Sequence, residues 1–295
     1  MDGIINIFKP KGLTSHDVIK ELRKHLAIKK IGHTGTLDPG ATGVLPICIG
    51  KGTRISEYLL NVGKEYVAEL TLGMATDTQD IDGKVISYSD KNVTVEEIYR
   101  VFEDFKGEIE QVPPMYSAIK VKGKKLYELA RKGEVIDRKP RKVNIYDLQI
   151  NNIYGNKVIF YVKCSRGTYI RTLCDDIGRR LGTYGYMSYL TRTGVGEFKI
   201  CDSLSLDYIK NMGKEELESF IWPLDESLSH LKSLKVDDKY YKQLINGASI
   251  PIHYSYHLEK IGEPLRIYCK GKFIGIGLLT QINHTVNIKM DKVLI

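Results

Sequence analysis

Ile31-Gly32-His33-Thr34-Gly35-Thr36-Leu37-Asp38-Pro39-Gly40-Ala41-Thr42-Gly43-Val44-Leu45-Pro46-Ile47-Cys48-Ile49 is the stretch on which the reading of the chain turns. Small residues dominate its first half, and two chemically able side chains stand among them, His33 and Asp38. Asp38 precedes Pro39, which steers its backbone away from helix towards extended or turn geometry. Glycines on both sides permit sharp bends and close approach of another backbone. Asp38 is therefore expected at the tip of a tight loop, leaving an apolar scaffold from Val44 to Ile49. Loops held by a rigid scaffold commonly carry catalytic groups. Taken alone, an Asp-Pro-Gly is also an ordinary turn with a solvated aspartate. A phosphate-binding loop ending at Gly50-Lys51-Gly52 is disfavoured. The position that should be glycine is Leu45, and no Ser or Thr follows the lysine.

At 295 residues the chain can bury a sizeable core and hold one large domain plus a small one. No apolar run approaches membrane-spanning length. Ile4 to Phe8 is apolar but lacks a basic leader and a small-residue cleavage site, so no export signal is expected. The five cysteines are scattered and include no Cys-x-x-Cys pair. That argues against a disulfide framework or a metal site and fits a reducing, cytoplasmic setting. Net charge is +8, from 44 basic and 36 acidic residues, which points to a polyanionic partner, nucleic acid first. The basic residues cluster: Lys120, Lys122, Lys124, Lys125, Arg131, Lys132, Arg138, Lys139, Arg141 and Lys142 fall in one short segment. Such a run is often only a solvated face. Tyr116 and Tyr127 interleave with it, as a surface that meets phosphates and stacks on bases requires.

Periodicity supplies the elements. A buried strand is predicted over Gly3–Phe8, and a helix capped by Thr14 or Ser15 to about Leu26. A short helix follows from Thr53 to Leu60. Lys64 to Leu72 alternates with Tyr66, Ala68, Leu70 and Leu72 on one face, a strand. Lys84–Tyr88 reads as another strand, and Thr94–Phe105 as a helix with Ile98, Val101, Phe102 and Phe105 inward. Gly107–Pro114 breaks the pattern. A short helix is predicted near Lys125–Arg131, then a hairpin of Val143–Ile150 and Lys157–Cys164. Tyr169–Leu181 reads as a helix, and Thr183–Phe198 as two short strands. A boundary falls near Trp222-Pro223-Leu224-Asp225. Beyond it lie a helical start at Asp237–Asn246 and strands at Leu265–Cys269, Lys272–Leu279 and His284–Met290. The mixture, rich in hairpins, predicts an α+β core rather than a doubly wound sheet.

The central stretch from Gly32 to Pro46 resembles the catalytic motif of the TruB family of tRNA pseudouridine-55 synthases. Further segments resemble that family in its order: Lys9-Pro10-Lys11-Gly12-Leu13-Thr14-Ser15, Lys64-Glu65-Tyr66, Thr76-Asp77-Thr78 with Asp82-Gly83, and Pro113 to Ala118. Gly123 to Gly133, Cys164 to Arg171 and Leu190-Thr191-Arg192-Thr193 complete the set. The resemblance covers residues 1 to about 230. The tail is similar in place and size to the family's PUA RNA-binding module. The resemblance implies a mixed, largely antiparallel sheet in a catalytic domain over 1–230, with a basic insertion at about 121–143. A small β-rich PUA-like module would occupy 231–295.

It also implies an isomerase that converts the T-loop uridine of tRNA to pseudouridine with no cofactor and no metal. Asp38 would be the essential aspartate, Tyr66 would lie against the target base, and Arg171 would pair with Asp38. His33, Tyr169 and Leu190 would line the substrate site. The partner would be tRNA, through its T-arm and elbow. No membrane and no obligate protein partner are expected, and the chain should be a monomer.

These residues suit the chemistry. A stacked base must be flipped out, at a few kcal/mol, before a side chain reaches it. Tyr66 and Tyr169 offer flat faces, and base–aromatic stacking returns roughly 1–3 kcal/mol per base. Asp38 would attack C1′ of the ribose, attack C6 of the base, or deprotonate C2′ to give a glycal; the sequence leaves these routes open. An unperturbed phenol is a poor base at neutral pH, which weighs against Tyr66 as the final proton acceptor. Two other readings use the same residues: a non-catalytic RNA-binding or RNA-folding protein, and a nucleotide-binding protein built on the glycine loop. The presence of Asp38, Tyr66 and Arg171 together favours the enzyme.

Overall fold

A computed structural model of the chain describes residues 1–121, 123–252, 260–282 and 285–295. Lys122 of the basic segment and His284, the expected start of the last strand, lie outside the described residues.

The first strand, β1 (Gly3–Lys9), leads into α1 (Ser15–Leu26) and the short β2 (Ile31–His33). β3 (Thr42–Ile49), a 3-10 turn and α2 (Ser56–Leu60) follow. Next come β4 (Lys64–Leu72), the paired β5 (Met74–Thr76) and β6 (Val85–Tyr88), and α3 (Val95–Asp104). β7 (Gly107–Gln111) precedes the basic insertion, which holds β8 (Lys120–Val121), β9 (Lys124–Lys125) and α4 (Leu126–Ala130). β10 (Arg141–Tyr154), β11 (Lys157–Cys164), α5 (Ile170–Leu181) and β12 (Gly185–Val195) form the second half of the large unit. β13 (Phe198–Lys199), β14 (Leu204–Ser205), α6 (Leu206–Lys210) and α7 (Lys214–Glu218) close it. The tail contributes β15 (Ser233–Lys235), α8 (Tyr241–Ile245), β16 (Ser249–Pro251), β17 (Pro264–Cys269), β18 (Lys272–Ile282) and β19 (Thr285–Val293).

A ten-stranded mixed sheet runs in the order β14-β1-β3-β12-β4-β11-β10-β7, with β2 on β3 and β13 on β12. Only the β1–β14 and β3–β12 ladders in it are parallel. The α+β prediction holds. β4 alternates as read, and Tyr66, Ala68, Leu70 and Leu72 enter a core with α3 and α5. Phe102 of α3 meets Phe160 of β11 edge to face at 5.4 Å. β1 and β3 are instead buried on both faces. Ile5, Ile7, Leu45, Ile47 and Ile49 pack with α1, α6 and α7. Ile4, Val44 and Cys48 share a cluster with Leu59, Ile276 and Leu294, which ties the five-stranded tail sheet (β15-β17-β18-β19-β16) to the large one. Lys292 pairs with Glu57 at 3.0 Å, and Tyr58 donates to Asp291 at 2.6 Å, across the same junction.

Two local expectations need correction. Gly107–Gln111, read as a break, is the edge strand β7 on β10. Its charged residues sit on an exposed edge, where apolar alternation is not required. Thr183–Phe198, read as two short strands, is mostly the single strand β12, bent by bulges after Met187 and after Arg192. The bulges interrupt the two-residue period and so imitate a strand boundary.

Candidate active site

Asp38 lies on the loop between β2 and β3, and the N-terminal motif fastens that loop. Thr14 caps α1 in a capping box with Asp17, which places Ser15 at the helix start. The Ser15 hydroxyl accepts the Leu37 amide at 2.8 Å and donates to the Leu37 carbonyl at 3.1 Å. The Gly12 amide donates to the Pro39 carbonyl at 2.9 Å. Lys9, 0% exposed, donates through Nζ to the carbonyls of Pro10 and Leu13 at 2.8 and 2.7 Å, and to Pro39 at 3.4 Å. Burial lowers the Lys9 amine to about 8, against the pull of the Asp38 charge.

Arg171 opens α5 and reaches across to this loop. Its Nε lies 3.1 Å from Asp38 Oδ2, with the arginine side chain 7% exposed and the aspartate 42%. One terminal nitrogen lies 3.3 Å from Asp80 Oδ2 and 3.2 Å from the Thr78 carbonyl, while the other donates to the Tyr116 carbonyl at 2.8 Å. The rigid fork of donors thus fixes Asp38 in direction while being held from behind. Burial raises the Asp80 carboxyl above its ordinary range, a push that Arg171 and the Thr78 hydroxyl oppose.

The other sequence-predicted residues lie on β2, β4 and β12 and at the start of α5. Tyr66 on β4 and Leu190 on β12 are buried in the same apolar cluster as Leu37, Ala41 and Ile170. Burial pushes the Tyr66 phenol up to about 12, above the ordinary phenol value. Tyr169 immediately precedes α5. Its backbone is clamped by the Gln111 side chain at 3.0 and 3.3 Å, and its half-buried phenol is also raised by burial. His33 ends β2, and its Nδ1 accepts the Gly35 amide proton at 3.2 Å. Burial lowers its pKa below the ordinary histidine value, with Arg192 and His16 adding to the effect. A neutral ring with its proton on Nε2 follows.

Sequence reasoning gave no role to three residues here. Asp80 sits in the loop between β5 and β6. Lys9 ends β1. Arg192 was quoted within a motif, yet it is a large side chain 1% exposed at the centre of the site. It donates from Nε to the Val44 carbonyl at 2.7 Å and from its terminal nitrogens to Gly35 and Thr36 at 3.1 and 3.5 Å. Its backbone pairs with that of Tyr66 across the β4–β12 ladder. Gly43 makes this possible. At φ +107 it faces Arg192 across the β3–β12 ladder, where a β-carbon would lie 2.2 Å from the Arg192 carbonyl oxygen.

Comparison with known proteins agrees with the geometry. The family model described as "TruB family pseudouridylate synthase (N terminal domain)" matches residues 23–170. The one described as "tRNA pseudouridylate synthase B C-terminal domain" matches 171–229. The chain is 48% identical over 297 residues to a protein of Alkaliphilus oremlandii named tRNA pseudouridine synthase B, covering 100% of this chain and 98% of that protein. It is 44% identical over 301 residues to the one of Clostridioides difficile, covering both completely. Among solved structures, a Cbf5-Nop10-Gar1 complex contains a chain with TM-score 0.77 and 29% identity, covering 99% of this chain and 85% of that one. With these matches over its whole length, and with the Asp38 loop and the buried arginine beside it in place, the chain belongs to the TruB family of pseudouridylate synthases.

Proposed function

We propose that the protein isomerises the T-loop uridine of tRNA, position 55, to pseudouridine, with Asp38 as the essential group. The observation that carries this reading is the Asp38 carboxylate held at 3.1 Å by Arg171, on a loop whose Leu37 and Ala41 pack in one cluster with Tyr66 and Leu190. The names of the curated relatives support tRNA as the substrate. The reaction breaks N1–C1′, turns the uracil and forms C5–C1′. The C5 proton leaves and N1 gains one, so no net bond is hydrolysed. Attack at C1′, attack at C6 and a glycal route all need one oriented carboxylate near the ribose, and Arg171 supplies the orientation. Tyr66 and Tyr169 offer faces for the extruded base, and His33 flanks the gap it leaves.

Residues 1–230 form the catalytic unit in this reading, and 231–295 a PUA-like module that extends the RNA contact. The basic insertion, about 121–143, closes over the T-arm. Its exposed cations include Lys120, Lys124, Arg131 and Lys132. Tyr127 is flanked by Lys125 and Arg131 at 5.4 and 5.5 Å from its ring centre. The enzyme works as a cytoplasmic monomer without a protein partner. Among the described residues no helix is long and apolar enough to cross a membrane.

The test uses a tRNA transcript tritiated at C5 of its uridines, incubated with the protein, followed by mapping of the product. One tritium released from the T-loop uridine is expected. Asp38→Asn should bind the tRNA as the wild type does and release none. Tight binding with no release from any uridine would move the assignment to a non-catalytic RNA-binding protein.

A further inference from the structure

β7 carries Ile109 against the core, and the next position on the same face is Gln111. The other residues of this strand are exposed or half-buried, whereas Gln111 is 1% exposed. Taking a side-chain amide out of water is costly unless its donor and its acceptor both find partners. Gln111 spends both on one residue. Its Oε1 accepts the Tyr169 amide proton at 3.0 Å, and its Nε2 donates to the Tyr169 carbonyl at 3.3 Å. The side chain thus serves Tyr169 as a neighbouring strand would. Tyr169 has extended geometry there, with φ −103 and ψ 111, immediately before α5. Its carbonyl also takes the first bond of that helix, from the Leu173 amide at 3.0 Å. With N–H and C=O both fixed, the direction of the Tyr169 Cα–Cβ bond is fixed, and only the side-chain torsions remain.

A second tie lies beside the first. Past Gln111 the chain runs through Pro113-Pro114, both buried and stiff in φ. It then reaches Tyr116, whose carbonyl accepts from Arg171 at 2.8 Å. The root of the basic insertion is therefore pinned at Gln111 and at Tyr116 to the first residues of α5. The same helix start carries the guanidinium that holds Asp38 at 3.1 Å.

We propose that Gln111 is a positioning residue for the reaction, setting the backbone from which the Tyr169 ring meets the nucleotide beside Asp38. The inference rests on the reading of this region as the uridine site. For burial alone a methionine of similar volume would serve. A glutamine adds one donor and one acceptor in a single plane, matched to the two polar groups of a peptide strand. A carboxylate could accept the N–H but has no proton for the C=O, and an asparagine ends one carbon short. Because Gln111 also begins the insertion, the segment that meets RNA and the ring that meets the base share one anchor.

The test is a double-mutant cycle read in single-turnover pseudouridine formation over a range of protein concentrations, with urea unfolding measured beside it. Gln111→Met should slow the saturated rate roughly tenfold or more and change the half-saturating concentration less than about twofold. In the Tyr169→Leu background the same change should slow it less than about threefold, because the ring it positions is gone. Gln111→Asn serves in place of Gln111→Met if the latter does not fold. A rate within about twofold of wild type would overturn the proposal. Equal losses in both backgrounds, or a loss that only follows the folded fraction, would show a scaffold role and overturn it too. Product is counted over all uridines of the tRNA. A product outside the T-loop would refute the positional reading above and leave this cycle readable. No product from any uridine with the wild-type protein would sink the isomerase reading, and this inference with it.

Discussion

Replacing Arg171 by methionine removes the guanidinium and keeps most of the stem volume. Three directions of contact are lost at once: Asp38 at 3.1 Å, Asp80 at 3.3 Å and the Tyr116 carbonyl at 2.8 Å. Breaking a fully buried pair from one side costs about 3–5 kcal/mol. Asp38, 42% exposed, regains water and contributes little to that sum, whereas Asp80 at 16% is left buried without its cation. The low end follows, about 3 kcal/mol at neutral pH. The pH dependence has a definite sign. Burial already holds the folded Asp80 pKa above the ordinary carboxylate range. The folded state then binds more protons than the unfolded one in that window, so stability falls as pH rises through it. Without Arg171 the folded value rises further and the window widens upward. Urea unfolding should show a deficit at pH 7 that shrinks towards pH 5. Single-turnover tritium release should slow roughly 100-fold, since a misplaced reacting group costs about that much. A deficit below about 1 kcal/mol, or one equal at both pH values, would refute the role given to Asp80. A rate within about threefold of wild type would refute Arg171 as the group that aims Asp38.

Gly43→Ala would set a β-carbon 2.2 Å from the Arg192 carbonyl oxygen at a backbone angle that disfavours it. Urea unfolding should report a loss of at least about 1–3 kcal/mol, with a neutral result refuting the close β3–β12 approach. Lys9→Met tests a buried amine lowered to about 8 from 10.5. Between those values this site holds more protons in the unfolded chain, so Lys9 contributes stability that grows with pH, as Lys64 does, while the buried thiols of Cys48, Cys164 and Cys174 act in the opposite sense. The stability difference between wild type and variant should therefore shift in favour of the wild type from pH 8 to pH 10, which unfolding curves at the two values would reveal. Gln79 adopts φ +63 while its side chain joins Thr172 at 2.9 Å and Asp175 at 3.0 Å. Gln79→Ala should be less stable than Gln79→Gly by about 1 kcal/mol, since only glycine relieves the left-handed backbone. The reverse order in thermal unfolding would sink that account.

Much of this architecture was legible because local rules were not overridden. β4 alternates because one face meets a helical core, and α1 and α3 begin at threonine caps completed by Asp17 and Glu97. The Asp38 loop was legible from its proline and glycines. Where reading failed, tertiary contact had replaced local pattern. β7 hides as a charged edge, and β12 carries bulges that break its period. Lys9 and Arg192 could not be placed as buried, since cations follow no apolar periodicity and their partners are backbone carbonyls of distant segments. A long basic side chain in a sequence is most often solvated. Only the fold shows these two turned inward.

The arrangement also explains why an ordered set of short motifs was specific when none was alone. Lys9 to Ser15 clamps the Asp38 loop through Lys9 Nζ, the Gly12 amide and the Ser15 hydroxyl. Lys64 to Tyr66 delivers the phenol, and Thr76 to Gly83 delivers the Thr78 carbonyl and Asp80 to Arg171. Pro113 to Ala118 supplies the Tyr116 carbonyl, Cys164 to Arg171 the guanidinium itself, and Leu190 to Thr193 the apolar wall and Arg192. These motifs converge on the Asp38 loop, and the two arginines join them. A binding surface for an RNA backbone needs exposed cations spread over a face. Two guanidinium groups buried behind one carboxylate do nothing for such a surface. Arg171 holds that carboxylate and Arg192 the loop ahead of it, which suits the proposed reaction on one flipped base.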